Sequence, residues 1–269
     1  MSPVALLSGA AAVAKRDYLL FTSYRSRLIS TFFTGIVGLT LFYYVSRLVH
    51  SPRIGSPDQY FAFVVVGLII FSVLTAALST PLLTLRAEQQ IGTLERLVLS
   101  PFGPVWSVAS LLIFPIAMAI VTAIVTLAFA GILFGLKLHW PTVPLAVPLA
   151  LLAAVAFAPF GILMSSAVVV IKQTTAGASV VVTGITLLAG IYFPVALLPH
   201  WIRWISEVQP FTPAVDLLRN TLVHTQLREA ALVDLAKLLG FAIVATPLSL
   251  WVLSRAVRHG QRRGTIIEY

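Results

Sequence analysis

Long apolar stretches alternate with short polar ones along the chain. The intervals free of Asp, Glu, Lys and Arg run 28–46, 59–85, 97–136, 138–171, 173–202 and 238–254. Six helices are expected within them, at roughly 28–48, 60–84, 106–134, 144–170, 176–197 and 238–256. Each is near the ~20 apolar residues that crossing a bilayer requires. Prolines fall inside several of them, among them Pro81, Pro115, Pro159 and Pro247. A proline removes a backbone donor and kinks its helix, and membrane helices tolerate this when neighbours satisfy the freed carbonyl. Gly184 and Gly190 in the fifth expected span are suited to close helix contact.

Three segments depart from this pattern. In 12–30, Lys15, Arg16, Asp17, Arg25 and Arg27 alternate with Tyr18, Leu19, Leu20, Phe21 and Tyr24. That alternation suits a helix lying in the membrane interface. The stretch 86–104 is the most polar one between spans. It holds a short amphipathic helix, with Leu94, Leu97 and Val98 on one face and Glu95 and Arg96 on the other. Gly92 punctuates its start and Ser100-Pro101 its end. In 198–227, Trp201, Trp204, Ile205 and Val208 form an i, i+3, i+4, i+7 stripe opposite the Arg203/Glu207 pair. Gln209-Pro210 breaks that helix. Thr212 is the expected cap of the next, with Pro213 at its first position. This second helix carries Val215, Leu218 and Leu222 on one face and Asp216, Arg219 and Asn220 on another. A helix-break-helix of this size reads as a re-entrant hairpin or as an interfacial cap.

Composition fixes the solvent. Hydrophobic residues are 59% and charged residues 10% of the 269, against ~25% charged in soluble domains. The chain is an all-α polytopic membrane protein, a single domain of 1–269. Its net charge of +9 is a matter of topology, not of nucleic acid. With six spans, Lys15, Arg16, Arg25, Arg27, Arg86, Arg96, Lys172, Arg255, Arg258, Arg262 and Arg263 share one side, and seven other basic residues take the opposite side. The excess places both termini in the cytoplasm, and an odd number of spans would destroy it.

Chemistry narrows the function further. The chain has no cysteine, and no phosphate-cradling G-x-x-x-x-G-K-[ST] loop. It has no H-E-x-x-H, and its five histidines are scattered. The expected spans carry no Asp, Glu or Lys, which disfavours a proton-coupled carrier. No catalytic residue and no cofactor or metal site is expected.

The stretch EQQIGTLERLVLSP (88–101) resembles the signature of ABC-2 type permeases, the membrane subunits of type-2 ABC exporters. YFPVALLPHWIRWISEVQPFTPAVDLLR (192–219) resembles the same family's segment before its last helix. The resemblance implies an N-terminal elbow helix within 12–30 and a coupling helix in the loop 86–104, with a re-entrant hairpin at 198–227. It assigns ATPase docking to Glu88, Gly92, Thr93, Leu94, Glu95 and Arg96. It assigns the outer hairpin or gate to Pro199, Trp201, Trp204, Pro210, Pro213, Asp216 and Arg219. It further implies a separate ABC ATPase that binds ATP and Mg, and a second permease copy or a related permease. Membrane lipid is the other expected partner and nucleic acid is not one. The expected setting is a bacterial cytoplasmic membrane. The cargo implied is an amphipathic or hydrophobic molecule such as a drug, lipid or lipid-linked glycan, exported from the cytoplasm or inner leaflet. The alternative is a stand-alone channel or flippase with no ATPase partner.

Overall fold

The computed structural model describes residues 3–48, 56–94, 100, 102–139, 141–171, 175–192, 195–227 and 229–263, and among these no strand occurs. Among the described residues ten α-helices follow in chain order: α1 (Pro3–Ser23), α2 (Arg25–Leu48), α3 (Pro57–Ile91), α4 (Pro104–Ser110), α5 (Ile113–Phe134), α6 (Val143–Ile171), α7 (Thr175–Leu188), α8 (His200–Val208), α9 (Phe211–Val223) and α10 (Ala231–Arg263). Among the same residues five stretches are long and apolar enough to cross a membrane: Ile29–Leu48, Pro57–Ile91, Pro104–Phe134, Val143–Val170 and Ala231–Arg262.

The bundle is organised on α3. Of its apolar window 67% is buried, against 11% for Ile29–Leu48. It packs on α2, α5, α6, α7 and α9. The start of α3 follows from sequence: Ser56 accepts from the Gln59 amide, Gln59 Oε1 accepts from the Ser56 amide at 2.9 Å, and Pro57 opens the first turn. That is a capping box with proline at its favoured position. The end follows too, because Gly92 adopts φ 78°, a left-handed conformation that suits glycine. Thirty-five residues at ~1.5 Å each give a rod of about 52 Å, longer than the hydrocarbon layer.

Several expected boundaries shift. The interfacial segment expected at 12–30 is divided between α1 and the start of α2, with the break at Tyr24. Tyr18, Leu19, Leu20 and Tyr24 are exposed, while Phe21 is buried edge-on against Phe114 at 5.6 Å. The third span is two helices separated at Leu111 and Leu112. Pro115 accounts for the break, since its ring would clash with the carbonyl four residues back, at Leu111. Pro115 therefore sits in the first turn of α5 and not mid-helix. Of the fifth span, expected over 176–197, the described residues form the 14-residue helix α7 and a 3-10 turn at Val195–Leu197. At about 21 Å that helix stops short of a full crossing.

Proline and glycine also set the packing. Pro81 cannot bond the Ala77 carbonyl. That oxygen lies against Gly161 of α6, where any Cβ would fall inside its van der Waals radius. Gly67 of α3 receives the Ile191 carbonyl in the same way. Such Cα–H···O contacts let helices approach closely. Gly67 and Gly161 are thus glycines in close contact with a carbonyl. Gly184 has open space around it, and Gly190 serves instead through a positive φ of 74° just past α7.

Candidate functional site

Two regions on or against α3 gather the residues singled out by sequence. The first is its C-terminal end. The Gly92 amide donates to Gln89 O and the Thr93 amide to Glu88 O at 3.0 Å. This pair of bonds satisfies the last carbonyls and turns the chain sharply. The Thr93 hydroxyl also donates to the Glu88 carboxylate. Arg16 of α1 closes the same carboxylate from the other side, Nη1 to Oε1 at 3.0 Å, and bonds Asp17 at 2.8 Å. The Glu88 side chain is only 14% exposed, so the pair is weakly screened and worth more than a surface ion pair. Glu88 and Thr93 thus join the turn after α3 to α1. Leu94 is buried with Leu82, Leu85, Val108 and Leu253, anchoring the turn and presenting nothing outward. Glu95 and Arg96 lie outside the described residues, as do Leu97 and Val98.

A groove of about 1040 Å³ opens beside this joint, between α1, α2, α3 and α5. Glu88, Thr93, Arg16 and Asp17 line one end of it. Ser72, Thr75 and Thr80 of α3 line its wall. The Ser72 hydroxyl donates to Ile69 O at 2.7 Å and the Thr75 hydroxyl to Phe71 O at 2.8 Å. With their protons committed to helix carbonyls, these oxygens offer lone pairs. The groove is an apolar trough with acceptors along one wall and an ion pair at one end.

The second region is the hairpin α8–α9. Pro199 precedes α8 in an extended conformation, and Gln209 after it is extended at φ −78°, ψ 149°. Pro210 imposes that conformation on the residue before it. The second helix begins at Phe211, not at Pro213, and Thr212 is its second residue. The Thr212 hydroxyl instead accepts from Gln209 Nε2 at 3.2 Å. Pro213 is buried in the first turn, where a missing N–H costs nothing. Helix α9 is buried almost throughout and packs on α3, α6 and α10. Helix α8 turns its apolar stripe outward, with Trp201 74% and Trp204 60% exposed. Its Arg203 and Glu207 face a cavity of about 320 Å³ shared with Asp216 of α9 and Asp234 and Lys237 of α10.

The hairpin completes the broken fifth span. Helix α7 ends with carbonyls that no helix satisfies. Buried Ser206 of α8 donates to Leu188 O at 2.7 Å. Arg219 of α9, 4% exposed, donates to Gly190 O and Ile191 O at 2.8 Å each and to Phe63 O of α3 at 3.4 Å. Its guanidinium lies 3.4 Å over the Phe63 ring. Burying a cation is expensive unless hydrogen bonds and a π face replace water. Here they do, and the exchange satisfies the irregular backbone just past α7. Sequence placed Arg219 on a polar face but gave no sign of these partners, and it did not single out Ser206. The capping box Ser56-Pro-Asp-Gln59 was readable and marks where α3 begins. Among the described residues no three His, Cys, Asp or Glu side chains converge as a metal site.

The family model described as ABC-2 type transporter matches residues 10–223, spanning both regions. No curated protein matches the chain.

Proposed function

The chain belongs to the ABC-2 type transporter family and is a multi-pass ABC-type permease; we propose that a separate ATPase subunit drives it to export an amphipathic molecule from the inner leaflet or cytoplasm. The ATPase binds ATP and Mg, docks on the loop after α3, and works on two permease copies or on this chain and a related one. The setting is a bacterial cytoplasmic membrane with both termini inside.

The observation that carries this reading is a shared set of residues. Glu88 and Thr93 belong both to the turn that ends α3 and to the wall of the groove. A push on the loop therefore moves the groove. Some 25 residues earlier the same rod meets Arg219 of the hairpin at Phe63 and the Ile191 carbonyl at Gly67. Docking energy applied at one end of α3 reaches a broken span at the other through one continuous helix, bent by Pro81 between them. Acceptors along the groove suit a cargo with hydroxyl or ammonium donors and an apolar body.

The test is ATP-dependent uptake of a fluorescent amphiphile into inside-out vesicles bearing the chain and its ATPase. Glu95→Lys should leave the permease at normal level and abolish ATPase retention, because like charges at an interface cost several kcal/mol. Arg53→Glu in the opposite loop should do neither. Transport by the purified chain alone, indifferent to ATP, would instead establish a stand-alone channel or flippase.

A further inference from the structure

A third cavity, of about 660 Å³, lies between α6 and α10 and shares no residue with the groove beside α1–α3 or with the hairpin. Leu163, Ser166, Ala167 and Val170 of α6 form its wall. Their spacing is i, i+3, i+4, i+7, one helical face. Arg255, Arg258, His259 and Arg262 of α10 oppose them at the same spacing. All four are exposed, and among the described residues none has a carboxylate within ion-pair distance. Arg258 bonds Ser254 O at 3.1 Å and Ser254 Oγ at 3.0 Å, which aims its guanidinium along the helix. Arg255 lies 5.0 Å from the ring of Trp251, itself exposed.

The order along α10 matters. Val252 comes first, inside the apolar span, and the cations follow over the next ~15 Å of helix. A molecule filling this groove meets an apolar wall and then a row of guanidinium groups. Unpaired arginines along an apolar trough at the membrane boundary match a phosphodiester carried on acyl chains. We propose that the α6–α10 groove is a binding site for one anionic phospholipid of the inner leaflet, held as a resident lipid and not transported. Arg255, Arg258 and Arg262 take the phosphate, and Leu163, Val170 and Val252 take the start of an acyl chain. The proposal rests on the orientation adopted above, with the end of α10 in the cytoplasm.

The test is native mass spectrometry of the full-length chain, delipidated and titrated with phosphatidylglycerol or phosphatidylcholine. One phosphatidylglycerol should be retained per chain in preference to phosphatidylcholine. The triple variant R255Q/R258Q/R262Q should lose about 100-fold in retention, at roughly fivefold per cation. Ala167→Trp keeps every charge but fills the groove, and should lower retention as well. Replacing Lys15, Arg25 and Arg27 by Gln removes equal charge elsewhere and should leave it intact. Glycerol 3-phosphate should fail to displace the lipid. Equal loss from the two triple variants, no effect of Ala167→Trp, or displacement by glycerol phosphate would overturn the site. Because the readout needs no ATPase, its failure and a failure of the transporter mechanism are separately visible.

Discussion

Arg219 ties the backbone just past α7 to α3 and α9. Arg219→Gln removes donors from Gly190 O, Ile191 O and Phe63 O in a dry environment. Unsatisfied buried groups cost ~1–3 kcal/mol each, so a loss of about 3 kcal/mol is expected in reversible denaturation. Arg219→Lys keeps the charge without the planar fork and should fall between. Equal stability of Arg219→Gln and wild type would show that the break is satisfied some other way. Glycine gives a second contrast. Gly161→Ala forces a methyl onto the Ala77 carbonyl and should cost about 1–3 kcal/mol by overpacking. Gly184→Ala meets open space and should gain up to ~1 kcal/mol from helix propensity. Thermal melting of the two variants in one detergent decides this.

At the scale of elements, the hairpin and the α1–α3 joint make separable predictions. Gln209 is extended because Pro210 follows it. Pro210→Ala frees that residue and lets α8 run toward α9, so transport should fall while insertion stays normal. Pro213→Ala should be nearly silent, because Pro213 lies in the first turn of α9. Equal effects of both would refute this division. The joint is tested by charge reversal. Arg16→Glu or Glu88→Arg alone should weaken ATP-dependent transport, and the double reversal should recover it if the 3.0 Å pair transmits motion. Leu94 is a poor docking probe, since its truncation opens a cavity in the inner core. The family-like motif thus separates by burial: Glu88, Thr93 and Leu94 hold the turn in place, which leaves contact with a partner to the exposed Gly92 and the residues after Leu94.

For the whole molecule, the absence of cysteine makes topology simple to check. Single cysteines at Ser51 and Thr225 should label from outside, and those at Ser100 and Thr265 only after permeabilisation. External labelling of Thr265 would overturn the arrangement of the termini. Much of this architecture was legible in the chain itself. Charge-free runs located the apolar helices, because a bilayer excludes ions along about 20 residues whatever the neighbours are. Proline marked the hairpin break and Gly92 the turn before the loop helix, because their backbone limits are local, although the span expected to end near 84 runs on to Ile91. Other features are not written in any one segment. The fifth span reads as a continuous apolar run, yet it stops at Leu188, because Ser206 and Arg219 arrive from later in the chain to take its carbonyls. Trp201 and Trp204 read only as an apolar stripe, and they face outward while Arg203 on the opposite face donates to Ala196 O and Leu198 O. Local sequence determined which segments are helical and which enter the membrane, since both depend on short-range sterics and transfer energy. Which polar group satisfies which broken backbone, and which helix face is inside, was decided only by the tertiary structure, since those energies exist only between segments brought together by folding.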